Sequence, residues 1–299
     1  MFPASFDYHK PGSIEEALEL LTTLGADVKL LAGGHSLVPA LKLRLTQPKH
    51  LIDLAGIAAL KTVAVRENRL VLGAMTTHWQ VESSPVVKAA LPYLCEVARL
   101  IADPQVRNRG TIGGSLVNAD PAADYPASIL ALDAEMVCVG RGGRRIVHAR
   151  DWFQGLLTAA IEEHEILSEI RIPLLPPRTA ATYLKLRHPA SRFAVVGVAA
   201  IVTVTQDQRC AEVRIGITGV GSCAKRAGSV EQQLVGHRLD ATRIEAASAA
   251  ACDGLEIDGD MHFSAEDKEQ LCRTYVRRAL LRTMHLAESG AFQPTRNAP

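Results

Sequence analysis

The 299-residue sequence lacks several features that mark specialised classes of protein. Its formal net charge is +1, so no global electrostatic attraction to nucleic acid or to a membrane surface is expected. No apolar run reaches the roughly 18 residues that are needed to cross a bilayer. The start, from Met1 to Asp7, has no basic region followed by an apolar run, so no secretory signal is expected. These absences favour a cytoplasmic protein with no transmembrane segment.

The six cysteines form no Cys-x-x-Cys pair. Because zinc ribbons and iron–sulfur clusters are commonly built on such pairs, neither is expected on this chain. A His-Glu-x-x-His motif is also missing, so we predict no metal site. The cysteines are interpreted as scattered thiols that act as small apolar side chains. If the protein handles electrons together with clusters, those clusters must lie on another chain.

The composition is that of a globular protein, with 47% hydrophobic and 22% charged residues. The length allows roughly two domains. The proline-rich segment from Pro173 to Pro177 follows a predicted strand, and we place the domain boundary there. The sequence therefore predicts one domain over residues 1–177, itself divided near residue 55, and a second domain over residues 178–299.

The first predicted elements form a small β–α–β unit. Ser13 and Glu16 form a predicted capping box, and Gly25 can end the helix. Val28 to Leu31 is a predicted strand that runs directly into Gly33 and Gly34. A further apolar segment and a strand around residues 51–54 follow.

The rest of the chain alternates hairpins with helices. Residues 62–74 predict a hairpin with Glu67 and Asn68 at its turn. The segment from Val106 to Pro126 has little periodicity and is interpreted as a long functional loop. The remaining predictions are a hairpin over 136–148, a strand over 166–172, three antiparallel strands over 182–187, 193–204 and 213–218, and helices over 230–289.

Two segments share one pattern, in which paired glycines stand beside hydroxyl residues. They are Ala32-Gly33-Gly34-His35-Ser36 and Thr111-Ile112-Gly113-Gly114-Ser115. Glycine permits a positive φ and a close approach of the backbone, so successive N–H groups can converge on an anion. The hydroxyls of Ser36, Thr111 and Ser115 can add donors. Two such loops could hold a diphosphate from both sides.

These motifs resemble the flavoprotein subunits of aerobic carbon monoxide dehydrogenases. The same pattern is found in the FAD-binding subunits and domains of xanthine dehydrogenases and related molybdenum hydroxylases. The resemblance covers nearly the whole chain. The segments that match are Phe6 to Pro11, Ala32 to Leu37 with Leu41 to Leu45, Leu72 to His78, Val106 to Ser115 with Asp120 to Asp124, Tyr183 to Arg187, and Phe193 to Gly197.

The resemblance implies an α+β architecture. Its first part is a two-subdomain FAD-binding fold of the PCMH/vanillyl-alcohol-oxidase type, and a small antiparallel sheet packed with helices follows. It also implies FAD as cofactor, with contacts from Leu30, Leu31, Ala32, Gly33, Gly34, His35, Ser36, Leu37, Ile101, Thr111, Ile112, Gly113, Gly114, Ser115, Asp120, Asp124, Leu167 and Lys185. Lys185 is placed at the flavin, where a lysine would stabilise an anionic reduced ring. Asn118 departs from the family pattern, in which histidine is common.

The partners implied by the resemblance are a small iron–sulfur subunit and a large molybdenum–pterin subunit, in a hetero-oligomer expected to be a dimer of heterotrimers. Substrate oxidation would occur on the large partner. This chain would pass electrons to quinone, NAD or oxygen, and none of its residues is expected to be catalytic toward the organic substrate.

Several of these residues also have purely structural interpretations. Asp120 and Asp124 could cap the helix that is predicted to begin near Tyr125. Lys185 could be a solvated side chain of an amphipathic strand. Leu167 and Ile101 are expected to be core residues in either case.

Three alternative functions remain open at this point. Gly219 to Ala224 fits the dinucleotide fingerprint G-x-G-x-x-A, but no second parallel strand follows it, which argues against a Rossmann site. His35 could be bonded covalently to FAD, as in some flavin oxidases, which would make the protein a self-contained oxidase. A scaffold without flavin is the third possibility, and the intact glycine loops argue against it.

Overall fold

The N-terminal layer is a three-stranded parallel sheet with two helices. A computed structural model describes residues 2–294; Met1 and residues 295–299, which the predicted domains include, lie outside this range. The strands lie in the order β1, β3, β2, and all pairings are parallel. The predicted β–α–β unit is therefore confirmed. Its elements are β1 (Asp7–His9), α1 (Ile14–Leu24), β2 (Val28–Leu31), α2 (Leu37–Lys42) and β3 (His50–Asp53).

Helix α1 begins and ends where the sequence predicts. The Ser13 hydroxyl accepts a hydrogen bond from the Glu16 N–H at 3.1 Å, and Gly25 follows the helix with φ +73°. One of the two hydrogen bonds of the predicted capping box does not form. The Glu16 carboxylate accepts from the Gly12 N–H at 2.7 Å instead of from the Ser13 N–H. The apolar face, with Ala17 and Leu21 fully or nearly buried, packs onto the β3 side of the layer.

The second layer is a five-stranded antiparallel sheet. Glu67 and Asn68, at φ +49° and +58°, form the predicted turn of its first hairpin. The strand order is β4, β5, β10, β6, β7, so the late strand β10 lies in the middle. The strands are β4 (Val63–Arg66), β5 (Arg69–Gly73), β6 (Glu135–Gly140), β7 (Gly143–His148) and β10 (Ile166–Pro173), and a small hairpin of β8 (Phe153–Gly155) and β9 (Thr158–Ala159) precedes β10.

A run of short helices joins β5 to β6, and one further short helix follows β7. This run corrects the predicted long loop. The segment 106–126 contains α7 and the beginning of α8, and it starts within α6. Asp103 and Thr111 cap α6 and α7 with their side chains. Helices of one or two turns show little apolar periodicity, and the helix over 112–118 also contains two glycines, which explains the wrong prediction. The helices are α3 (His78–Ser83), α4 (Pro85–Ala90), α5 (Pro92–Arg99), α6 (Pro104–Arg107), α7 (Ile112–Asn118), α8 (Asp124–Ala131) and α9 (Ala149–Trp152).

The C-terminal part is an antiparallel sheet covered by helices, as predicted, with one additional short strand. The order is β11, β12, β13, β14. Strand β12 is apolar on both faces, because alternate residues enter different cores: Ala199 and Ile201 pack with α8, whereas Val198, Ala200 and Val202 pack with the C-terminal helices. The elements are β11 (Thr179–Arg187), β12 (Ala194–Val204), β13 (Cys210–Thr218), β14 (Lys225–Arg226), α10 (Gly228–Leu234), α11 (Ala241–Ser248) and α12 (Ala265–Glu288).

Helix α8 connects the two halves of the chain. A Cβ on Gly216 of β13 would lie 2.0 Å from the Ala127 carbonyl oxygen of α8, so only glycine permits this approach. The division of the chain into domains at residue 177 stays a prediction. Throughout residues 2–294, each helix is too short or too polar to span a bilayer.

Candidate functional site

The first glycine loop lies between β2 and α2, at the carboxyl end of a parallel strand. Gly34 has φ +79°, in the region that favours glycine. A Cβ on Gly33 would lie 2.3 Å from the Arg109 carbonyl oxygen, so the absence of a side chain allows this loop to touch the segment before α7. The loop is therefore a tight turn held against the second one.

The backbone of this first loop has free hydrogen-bond donors. Among the residues that the structure describes, no acceptor receives the N–H groups from Gly33 to Leu37. The Ser36 side chain makes no capping bond and is exposed. Successive free amides in a turn before a helix form a concave anion site. The predicted mechanism therefore fits the first loop.

The second loop works differently, and here the prediction is corrected. The N–H groups at the start of α7 are hydrogen-bonded within the protein: Ile112 to Thr76 O, Gly113 to Ala74 O, Gly114 to Thr111 Oγ1, and Ser115 to Thr111 O. These amides are not available to an anion. The groups left for a ligand are the Thr111 N–H, which donates to no described acceptor, and the hydroxyls of Thr111 and Ser115.

Close packing explains the glycines of the second loop. A Cβ on Gly113 would lie 2.5 Å from the Ala74 Cβ. A Cβ on Gly114 would lie 2.8 Å from Thr111 Oγ1 and 3.4 Å from the Ala32 Cβ. The two loops therefore pack against each other. The surface that they share, with free amides on the first loop and hydroxyl groups on the second, is named the crevice.

A buried ion pair joins α8 to β11. Lys185 Nζ lies 2.8 Å from Asp124 Oδ2, and their side chains are 2% and 4% exposed. Lys185 also donates to the Leu100 carbonyl at 3.2 Å, and the Tyr183 hydroxyl donates to Asp124 Oδ1 at 2.7 Å. Burial raises the pKa of Asp124, with Lys185 opposing this effect, and burial lowers the pKa of Lys185, with Asp124 opposing it.

These contacts exclude the structural interpretations that the sequence left open for Asp124 and Lys185. Asp124 does not cap α8, because Ala123 occupies the N-cap, and Lys185 is not a solvated side chain. Asp120 is not the cap either: its Oδ1 accepts from the Ala122 N–H at 2.9 Å in a local turn.

Ile101 and Leu167 are each next to a residue that contacts the site. Ile101 is half-buried, and its neighbour Leu100 accepts the Lys185 hydrogen bond. Leu167 is 4% exposed in the core, as expected. It precedes Ser168, whose carbonyl accepts from Ala74 N–H, the residue on which Gly113 packs.

His78 belongs to the site but was not singled out from the sequence. Its N–H donates to the Gly110 carbonyl at 2.9 Å, and its ring centroid lies 5.4 Å from that of Tyr125. Burial, with smaller effects from His35 and Arg107, lowers the pKa of His78 to about 3, so the ring is neutral. Its Nδ1 and the Tyr125 hydroxyl are buried and find no hydrogen-bond partner within residues 2–294. The motif from Leu72 to His78 was the only signal for this residue.

The dinucleotide fingerprint in the C-terminal sheet is a packing feature. A Cβ on Gly219 would lie 2.6 Å from Val195 O, and one on Gly221 would lie 2.6 Å from Glu256 O. The next strand, β14, is antiparallel to β13. No β–α–β unit surrounds the motif, so the argument against a Rossmann site is confirmed.

A crevice with free amides on one wall, hydroxyls on the other and a buried lysine nearby defines a protein that can hold a phosphate-bearing cofactor. Two family models then cover almost the whole chain: the FAD-binding domain in molybdopterin dehydrogenase matches residues 4–175, and the CO dehydrogenase flavoprotein C-terminal domain matches residues 181–283. The chain belongs to this family of FAD-binding medium subunits of molybdenum-hydroxylase-type dehydrogenases.

Individual relatives agree with this assignment. The carbon monoxide dehydrogenase medium chain of Hydrogenophaga pseudoflava is 41% identical over 94% of this chain and 97% of its own length. The 6-hydroxypseudooxynicotine dehydrogenase complex subunit alpha of Paenarthrobacter nicotinovorans is 37% identical over 96% of this chain and 97% of its own. A solved structure of the Hydrogenophaga enzyme lacking the Mo-pyranopterin moiety superposes with a TM-score of 0.92 at 41% identity, over 96% of this chain and 99% of the other.

These matches confirm the predicted family, the α+β fold and the cofactor. The protein is an FAD-binding oxidoreductase subunit. The residues of the crevice fit this cofactor, because the free amides and hydroxyls suit a diphosphate.

Proposed function

We propose that this chain is the electron-transfer subunit of a molybdenum-hydroxylase-type dehydrogenase. It would work in the cytoplasm with a small iron–sulfur subunit and a large molybdenum–pterin subunit, in a dimer of heterotrimers. Electrons from the small partner would leave through this chain to quinone, NAD or oxygen. Bound FAD supplies the required chemistry, since flavin can accept electrons singly and release them in pairs. The names of the relatives, medium chains and complex subunits, support this assembly.

The observation that carries the proposal is the run of free N–H groups from Gly33 to Leu37. These donors, with the Ser36 hydroxyl, would bind the FAD diphosphate from one side. The Thr111 N–H and the hydroxyls of Thr111 and Ser115 would bind it from the other. The remaining loop residues, Leu30 to Ala32 and Ile112 to Gly114, would shape the crevice.

The role proposed for Asp124 is to hold the Lys185 ammonium in place at the flavin. Asp124 and the Leu100 carbonyl occupy two of the three donor directions of Nζ, so the ammonium cannot turn away. Ile101 and Leu167 would supply apolar contacts, and Asp120 would order the turn before α8. On this proposal the chain binds and orients the cofactor and excludes water from it.

The experiment is anaerobic reduction of the flavin in the isolated chain and in the complex purified from its source cells through a tag on this chain. Carbon monoxide, a purine, an aldehyde and an N-heterocycle are offered in turn. We expect one of these classes to bleach the flavin absorbance of the complex, while none bleaches the isolated chain and dithionite bleaches both. Bleaching of the isolated chain by an organic substrate would contradict the proposal and favour the self-contained oxidase.

A further inference from the structure

Two cysteines meet in the C-terminal part, away from the cofactor crevice. Cys252 lies in the turns after α11, and Cys272 lies on α12. The Cys252 thiol donates to the Glu269 carbonyl at a sulfur–oxygen distance of 3.6 Å. Glu269 stands three residues before Cys272, so both lie on the same face of α12. The Cys252 sulfur thus lies against the face of α12 that carries Cys272.

The two thiols differ in their access to solvent. Cys272 is fully buried in the core between α12 and β12, and Cys252 is half-buried at the edge of the same core. A small reagent from solvent therefore meets Cys252 first. Cys272, at 0% exposure, has no direct access to solvent.

The surroundings make Cys252 the more acidic thiol. The neighbouring Cys272 thiol, assisted by the Arg273 guanidinium, lowers the pKa of Cys252 against the effect of burial. The same contact and burial raise the pKa of Cys272. Arg273 Nη2 donates to Glu269 Oε1 at 2.6 Å, whereas its Nε is buried without a partner among the described residues. A cation with an unused donor therefore lies near the half-buried Cys252 sulfur.

We propose that Cys252 and Cys272 form a dithiol site that reacts with hydrogen peroxide and closes to a reversible disulfide. The Cys252 thiolate attacks one peroxide oxygen, the O–O bond breaks, and hydroxide leaves as Cys252 becomes a sulfenic acid. The Cys272 thiol then attacks this sulfur, the S–O bond breaks, and water leaves with the thiol proton. Two thiols are oxidised by two electrons, and one peroxide is reduced to two waters.

The disulfide would tie the turns after α11 to α12, which packs on β11 and β12. Cross-linking of this kind stabilises a fold chiefly by restricting the unfolded chain. The site does not depend on the function proposed for the crevice, and its failure in the test would leave that function untouched.

The test is titration of thiols in the reduced full chain before and after one equivalent of hydrogen peroxide, with peptide mapping by mass spectrometry. We expect the chain to lose two of its six thiols, with one cross-linked pair of peptides containing Cys252 and Cys272, and dithiothreitol should restore both. Cys252→Ser should lose no thiol at this dose. Cys272→Ala should stop at a sulfenic acid on Cys252, which dimedone traps.

Two controls keep the test specific. Cys223→Ser, at another half-buried thiol, should leave the cross-link unchanged. Arg273→Gln should slow the loss of thiols, because the guanidinium favours the Cys252 thiolate, while Arg273→Lys keeps most of the rate. Thiol loss spread over Cys95 and Cys223, or a folded Cys272→Ala chain without a dimedone adduct, would overturn the proposal.

Discussion

At the scale of single residues, the crevice depends on glycines, because the lack of a Cβ permits close packing. Gly33, Gly113 and Gly114 each approach a neighbour so closely that a Cβ would touch it. These glycines are identifiable from the sequence, but the shared pattern predicted that the amides of both loops bind an anion. Among the described residues, only the first loop has a run of free amides, because four of the five N–H groups of the second loop are bonded within the protein and the Thr111 N–H alone is free. Which amides are already paired depends on contacts with Ala74 and Thr76, and no local pattern shows them.

Gly33→Ala should weaken FAD binding by roughly 10- to 100-fold. The new Cβ would lie 2.3 Å from Arg109 O, and relieving such overpacking costs about 1–3 kcal/mol. Fluorescence titration of the apoprotein with FAD measures the change. Gly142→Ala, where a Cβ would meet nothing within 4 Å, is the matched control. Equal affinities of the two variants would contradict the close approach of the loops.

Lys185→Met should destabilise the protein by about 3–5 kcal/mol at pH 7, because it leaves the buried Asp124 carboxylate unpaired. Chemical unfolding with a Lys61→Met control measures this.

The effect of pH on that variant has a definite sign. Burial already raises the pKa of Asp124 above its ordinary value of 3.8 in the folded chain, and removal of Lys185 raises it further. The folded variant then binds a proton more readily than the unfolded chain, so its stability falls as pH rises from about 4 through the raised pKa. The deficit relative to the native chain should be smallest at acid pH. A deficit that grows on acidification would contradict the pairing.

At the scale of elements, turn chemistry was the most reliable signal. The Glu67-Asn68 turn and the end of α1 at Gly25 were predictable because positive φ selects those residue types. The helices within 106–126 were not, because each is too short to show a period. The pairing of Asp124 with Lys185 spans 61 positions, and it depends on how α8 meets β11. Single-sequence patterns do not contain that information.

Thr111→Val tests the role of α7. Thr111 Oγ1 accepts the Gly114 N–H at 3.1 Å, and loss of such a cap costs about 1 kcal/mol. We expect a lower melting temperature without FAD and a larger deficit with FAD, because a donor to the ligand is also lost. Thr111→Ser keeps the oxygen and should restore both values. If the melting temperature fell equally with and without FAD, Thr111 would act only as a helix cap.

At the scale of the whole molecule, α8 couples the crevice to the C-terminal sheet. Gly216→Ala would place a Cβ 2.0 Å from Ala127 O and force β13 away from α8. Because Asp124 begins α8 and pairs with β11, FAD affinity should fall together with thermal stability, although Gly216 is outside the crevice. Gly228→Ala, with no atom within 4 Å of the new Cβ, should change neither. Unchanged FAD affinity in a destabilised Gly216→Ala chain would contradict this coupling.

The most direct test of the whole account is a visible absorbance spectrum of the purified chain, repeated on the supernatant after acid precipitation. Non-covalent binding in the crevice predicts a flavin spectrum in the native chain and all of the colour, as FAD, in the supernatant. Yellow colour that stays in the pellet would contradict the account and indicate a covalent bond to His35. A chain that remains colourless after FAD is added would contradict it equally.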